Sequence, residues 1–278
     1  MTPLRRLALA FTLAFAAATA AAQPIALPPP PKADLTQQLG APLPLQAALR
    51  DDLGRPVQLG DSFHPGQPVL LVLGYYRCTQ LCGLLMHGLL QGLQQTGLPR
   101  TDWRIVGVSI DPADTPEDAH RRRQLDLAYA RFLQGAQTAR TPLQLDLLVG
   151  GADQVQTIAR AAGYRFQALP ARDGERDPGR SEYAHPATVL VVTPEGRISR
   201  YLNGIQFDGT QLRLALVDAG GGRVGGWTDR LALLCSHYDP VVGRYSGAVM
   251  GGIRALALAS LAGVALVAWR RHARREQA

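Results

Sequence analysis

Two of the three cysteines in this chain fall four residues apart, in Cys78-Thr79-Gln80-Leu81-Cys82. An apolar run ends just before them at Tyr76, and a helical pattern begins at Cys82. A helix N-terminus lowers a thiol's pKa and favours the thiolate, the form that attacks a disulfide or binds a metal. The i, i+4 spacing sets both sulfurs on one side of the first helical turn. A purely structural disulfide is the weaker reading, because closing so short a loop removes little chain entropy. Three readings stay open: a dithiol redox centre, a soft-metal site, or both. A redox thioredoxin usually has two residues between its cysteines, and the third residue here tips the balance toward metal.

A two-thiolate metal site generally needs a third ligand, and six histidines compete for that role. His185, in Tyr183-Ala184-His185-Pro186, directly precedes an apolar strand pattern at Thr188–Val192 and is the best candidate. Two thiolates and an imidazole suit one copper ion, the thiolates favouring Cu(I) and the histidine helping to hold Cu(II). His87, five residues beyond Cys82, rotates off the cysteine face. His120 abuts Arg121, Arg122 and Arg123, which oppose cation binding, and it reads as part of a solvated helix face. Cys235 and His237 form only a Cys-x-His pair, better read as juxtamembrane packing than as a second metal site. The charged stretch Ala168–Glu182 leading to His185 reads equally as a mobile loop or as an exposed insertion.

The elements that must position these groups alternate. Val69–Tyr75 is a continuous apolar run, as in a strand buried on both faces. Cys82–Gln95 has helical spacing, weakened by Gly83, Gly88 and Gly92. Trp103–Ile110 is a second apolar strand. Thr115-Pro116-Glu117-Asp118 starts a helix to about Leu133, with a capping Thr, Pro at the first position and acids in the first turn. Leu143–Val149 reads as a short strand or turn, and Asp153–Ala162 as a helix. Thr188–Val192 and Arg197–Tyr201 flank a Thr-Pro-Glu-Gly turn, and Asp208–Asp218 closes the domain as a helix. This order predicts an α/β, thioredoxin-like fold. In that layout the loop before the strand at Thr188 approaches the cysteines, usually with a cis-proline. The stretch before Arg50 is weakly patterned.

Charge and hydropathy divide the rest of the chain. The formal net charge is +7, but Arg5, Arg6 and five arginines after residue 250 account for it. Without those seven and Glu276, 22 basic and 21 acidic residues remain, which removes nucleic acid as an expected partner. Residues 1–22 read as a signal peptide: Arg5 and Arg6, a short apolar stretch, then small residues. Residues 23–33 form a Pro-rich linker, 34–220 the globular domain and 221–247 a juxtamembrane linker opening on a glycine cluster. Residues 248–269 match the roughly 20 apolar residues of a membrane-spanning helix, and 270–278 form a basic cytoplasmic tail. The expected topology is that of a bacterial-type inner membrane, with the domain on the exported, periplasmic side, where a disulfide can persist.

The Cys78–Cys82 pair after an apolar strand, Val108-Ser109-Ile110-Asp111-Pro112 with Asp114-Thr115-Pro116-Glu117, and His185 before a hairpin occur in that order. In this combination the chain resembles the Sco/SenC family of copper-binding, thioredoxin-like proteins that assist cytochrome c oxidase assembly, over roughly Leu70–Asp218. The resemblance implies copper on Cys78, Cys82 and His185. It further implies delivery of copper to the copper-A site of oxidase subunit II, or to another exported copper protein. The alternative is thiol-disulfide reductase activity, in which the same cysteines reduce the thiols of that site, supported by a periplasmic thiol reductant. A peroxidase lacks any additional signature. Many members carry proline between the cysteines and an N-terminal anchor. This chain instead resembles the C-terminally anchored branch, including Leu233-Leu234-Cys235-Ser236-His237-Tyr238-Asp239-Pro240.

Overall fold

The computed structural model describes residues 33–78, 81–134, 141–169, 182–225, 238–239 and 244–245, without the side chains of Leu81, Cys82 and the last two pairs. The expected signal peptide, the linker up to residue 32, the span at 248–269, the basic tail, Cys235, His237 and most of the 168–182 stretch lie outside these residues. Among the described residues, no helix is long and apolar enough to cross a membrane.

Three apolar segments form the centre of the sheet. They are β4 (Val69–Gly74), β5 (Arg104–Ser109) and β6 (Leu145–Leu148), paired in parallel. A hairpin of β10 (Thr188–Val192) and β11 (Ile198–Asn203) adds to the other edge of β4, with β10 antiparallel to it, giving the order β11-β10-β4-β5-β6. Successive side chains of β4 point to opposite faces, so Val69, Leu71 and Leu73 enter one core while Leu70 enters the other. An uninterrupted apolar run is therefore what this strand requires, because both its faces are covered.

One face is covered by α1 (Leu81–Gln95), α2 (Pro116–Gln134) and α4 (Gly209–Gly220), through Leu85, Met86, Leu89, Ala119, Leu212 and Leu216. The other face is covered by α3 (Ala152–Ala161) and by N-terminal residues including Leu43, Leu49 and Leu59. The start of α2 is the expected one. The Asp118 amide donates to the Thr115 hydroxyl at 3.2 Å, and the Thr115 amide donates to the Asp118 carboxylate at 3.0 Å. Asp208 caps α4 by accepting from the Gln211 amide at 2.9 Å. Leu143–Val149, read as a strand or a turn, contains the edge strand β6.

The glycines of α1 have a packing function. A Cβ on Gly88 would collide with the Ile205 carbonyl oxygen, and one on Gly92 would lie 2.5 Å from the Phe207 carbonyl oxygen. The segment from β11 to α4 thus crosses the helix at backbone contact distance, which larger residues would prevent.

Short strands complete the other face, and sequence patterning did not show them. Ala48–Arg50 (β2) pairs with Pro56–Gln58 (β3), and Asp34–Leu35 (β1) pairs with Tyr164–Arg165 (β7). Gln167–Ala168 (β8) pairs with Tyr183–Ala184 (β9), and the Leu169 amide donates to Glu182 O at 2.7 Å. The two ends of the 168–182 stretch are thereby zipped together immediately before His185. Tyr238–Asp239 (β12) pairs with Arg244–Tyr245 (β13).

Candidate metal centre

The topology brings the two candidate segments to one end of the sheet. β10 runs antiparallel to β4, with Val72 opposite Val189, so the exit of β4 lies beside the entry of β10. Cys78 follows the first and His185 precedes the second. The Cys78 amide closes a turn onto Tyr75 O at 3.3 Å, and α1 then begins at Leu81, so the Cys82 backbone occupies its first turn. Cys78 is half-buried. Thr79, Gln80 and the Cys82 side chain lie outside the described residues. Among the described residues, which leave out that thiol, no cluster of three ligating side chains occurs.

His185 is held in an aromatic setting. The Tyr75 ring meets it edge-on at a centroid distance of 5.9 Å, and the Tyr164 ring lies 6.3 Å away. Its Nδ1 is 2.8 Å from the Tyr164 hydroxyl. Burial lowers the imidazole pKa, opposed by the Pro186 carbonyl and by the charge of Cys78. Cys78 and His185, more than a hundred residues apart in sequence, are therefore within electrostatic reach of each other. The loop does not contain the cis-proline usual in this layout: among the described residues every peptide bond is trans, including His185–Pro186. Trans is the favoured isomer even before proline, so this loop meets the cysteine turn without the rarer one.

A buried charge cluster braces the cysteine turn. Arg77, next to Cys78, donates to Asp114 through Nε at 2.9 Å and to Asp111 through a terminal nitrogen at 2.9 Å. Asp114 also accepts from the Tyr76 amide at 2.7 Å and from the Ser109 hydroxyl at 2.6 Å. Asp111 accepts from the Tyr183 hydroxyl at 3.2 Å, which ties the cluster to the strand before His185. The two acids are 2% and 6% exposed, so the carboxylates belong to the interior rather than to a solvated surface. Burial disfavours the charge on Arg77, but its hydrogen bonds to Asp114 and Asp111 outweigh this and raise its pKa. Sequence reasoning used Asp111 and Asp114 only as family markers and missed Arg77, Tyr75, Tyr164 and Tyr183. A usable signal was present: two acids directly after the strand that pairs with β4, facing an arginine beside the first cysteine.

His87 and His120, the two other histidines weighed as ligands, each have a partner of their own. The His87 ring stacks on Tyr129 at 3.8 Å, and burial followed by the nearby Arg122 lowers its pKa. His120 is more than a solvated side chain, because its Nδ1 lies 2.9 Å from Asp52 and joins α2 to the β2–β3 turn. A cavity of about 180 Å³ at the C-terminal end of α1, lined by Leu90, Leu93, Arg100 and Trp103 among others, contains none of the candidate ligands.

The family model described as SCO1/SenC matches residues 48–214, which include Cys78, Cys82 and His185. No curated protein matches the chain. Among solved structures, a candidate electron transfer protein from Aquifex aeolicus VF5 superposes with a TM-score of 0.52 at 23% identity, over 67% of this chain and 96% of that one. Arabidopsis thaliana ScoI, solved with copper bound, gives 0.49 at 17% identity, over 66% and 98%. Bradyrhizobium japonicum ScoI, also solved with copper bound, gives 0.47 at 19% identity, over 66% and 99%.

Proposed function

This chain belongs to the SCO1/SenC family, and from that premise we propose that it is a copper-binding chaperone whose cargo ion is held by Cys78, Cys82 and His185. The observation that carries this reading is the approach of Cys78 and His185 across the β4–β10 pair, beside the helix turn that bears Cys82. Thiolates and a neutral imidazole are donors that accommodate both Cu(I) and Cu(II). Burial of His185 keeps the ring neutral near pH 7, the form that ligates. Half-burial of Cys78 suits a carrier, since the next protein's ligands must reach the ion for it to leave by exchange.

The client in this reading is an exported copper protein, first the copper-A site of cytochrome c oxidase subunit II. The domain works on the periplasmic side, after a signal peptide at 1–22 and before a membrane helix at 248–269 that tethers it. In the alternative reading the same cysteines act as a thiol-disulfide reductase on the client, one thiolate attacking its disulfide through a mixed disulfide. The test is anaerobic copper loading of the reduced protein. The parent binds one ion, and replacing either cysteine with serine abolishes binding. His185→Ala lowers the affinity sharply. Retained stoichiometric copper in His185→Ala would remove the histidine from the ligand set. A reduced parent that binds no copper overturns the chaperone and favours the reductase.

A further inference from the structure

A residue outside the expected ligand set, Tyr164, contacts His185 at one ring nitrogen, Nδ1. Tyr164 is 1% exposed, and among the described residues its hydroxyl lies near Leu73 O at 2.8 Å, Pro186 O at 2.6 Å and His185 Nδ1 at 2.8 Å. Nδ1 is also 3.1 Å from Pro186 O. A phenol has one proton to donate, and a carbonyl oxygen can only accept. Were Nδ1 unprotonated, it and the two carbonyls would be three acceptors sharing that single proton. Nδ1 would then also face the Pro186 carbonyl lone pair to lone pair. With a proton on Nδ1 the contacts balance: the imidazole N–H donates to the phenolic oxygen, and the phenol donates to a backbone carbonyl. The edge-on Tyr75 ring fixes the plane in which this can happen.

We propose that Tyr164 is a positioning residue that holds His185 as the Nδ1–H tautomer and so reserves Nε2 for a soft cation, copper in the reading above. A ligating histidine whose second nitrogen is tied to a backbone or side-chain acceptor is pre-oriented for the metal, and loss of such a partner typically weakens binding. The phenol reaches this position through a turn that needs glycine. Gly163, at φ +62°, ends α3, and a Cβ there would collide with the Thr36 carbonyl oxygen. The Thr36 amide meanwhile donates to Gly163 O at 2.8 Å, so Tyr164 enters the short β7 pairing and turns its ring into the core beneath His185.

The inference rests on the copper reading only for its consequence, because the tautomer can be observed without metal. In the metal-free, 15N-labelled full chain, at a pH where the ring is neutral, long-range proton–nitrogen correlation spectra of His185 show a protonated Nδ1 and a bare Nε2. The Nε2–H pattern overturns the proposal. In Tyr164→Phe the two tautomers mix and copper affinity falls by about 10- to 100-fold, whereas an unchanged tautomer and affinity overturn the positioning role. Because the first measurement is made on the parent, it stands even where the variant folds poorly. A parent with the Nδ1–H tautomer that binds no copper sustains the tautomer assignment and refutes the chaperone reading instead.

Discussion

Replacing Asp114 with alanine tests whether the buried charge cluster holds the cysteine turn. The substitution removes the acceptor for the Tyr76 amide, the Ser109 hydroxyl and Arg77 Nε, at 2.7, 2.6 and 2.9 Å. Arg77 keeps Asp111 at 2.9 Å, so the penalty of about 3–5 kcal/mol for stranding a buried charge is largely avoided. Ser109 retains a longer contact to Asp111 O at 3.3 Å, which leaves the Tyr76 amide as the group most exposed to loss. One orphaned donor at about 1–3 kcal/mol and two weakened bonds to a charged acceptor give an expected destabilisation of about 3 kcal/mol. For a domain of this size that corresponds to a fall in melting temperature of about 6–12 °C. Urea unfolding followed by far-UV circular dichroism reads the first quantity and a thermal scan the second. Copper affinity falls with them, because the Tyr76–Cys78 backbone loses its anchor. A loss below about 1 kcal/mol would place the cluster with ordinary surface ion pairs and refute the bracing argument.

Three further outcomes follow from the same structure. Gly88→Ala destabilises the protein by about 1–3 kcal/mol, because the added methyl must displace the Ile205 backbone. Among the described residues a Cβ on Gly83 meets only the Arg122 side chain, 3.5 Å away, so Gly83→Ala is neutral or stabilising by up to about 1 kcal/mol through helix propensity. Paired denaturation curves with opposite signs are expected, and a stabilised Gly88→Ala would show that the crossing segment yields. For pH, His185 and His87 are both lowered from 6.5 by burial, so below that value the unfolded chain takes up protons that the folded chain refuses. The stability from this source is complete above pH 6.5 and is lost as pH falls toward the lowered folded-state values, at a slope of at most about 1.4 kcal/mol per pH unit for the buried His185 and a smaller one for the more exposed, solvent-screened His87. A profile with no change of slope below 6.5, or one unaltered by His185→Gln, contradicts the buried neutral assignment.

The long elements were legible in the sequence because each carries a period strong enough to survive local noise. Residues 69–73 and 189–192 are apolar throughout because both faces of the sheet are covered, and Pro116–Gln134 announces itself through Thr115 and Asp118. Strands of two or three residues, such as Asp34–Leu35 and Tyr164–Arg165, are too short for alternation to register, and their pairing is fixed by distant partners. The glycines of α1 looked like weaknesses because a single chain segment does not reveal what crosses it. In the site, spacing located Cys78 and Cys82, and the strand after His185 located the histidine. The tyrosines and Arg77 stayed hidden because aromatic and basic residues are common, and only the fold sets Tyr75 and Tyr164 against His185, with Tyr183 edge-on to Tyr75.

The zipped base of the 168–182 stretch sets how the chain enters the site. Gln167 and Ala168 pair with Ala184 and Tyr183, so the ladder fixes the spatial separation of the two ends before the intervening chain contributes anything. The entropy of closing a loop on such a ladder grows only slowly with its length, and the ladder itself sets the direction in which the backbone runs on to His185. The approach to His185 is accordingly set by two backbone pairs rather than by the side chain of any one residue.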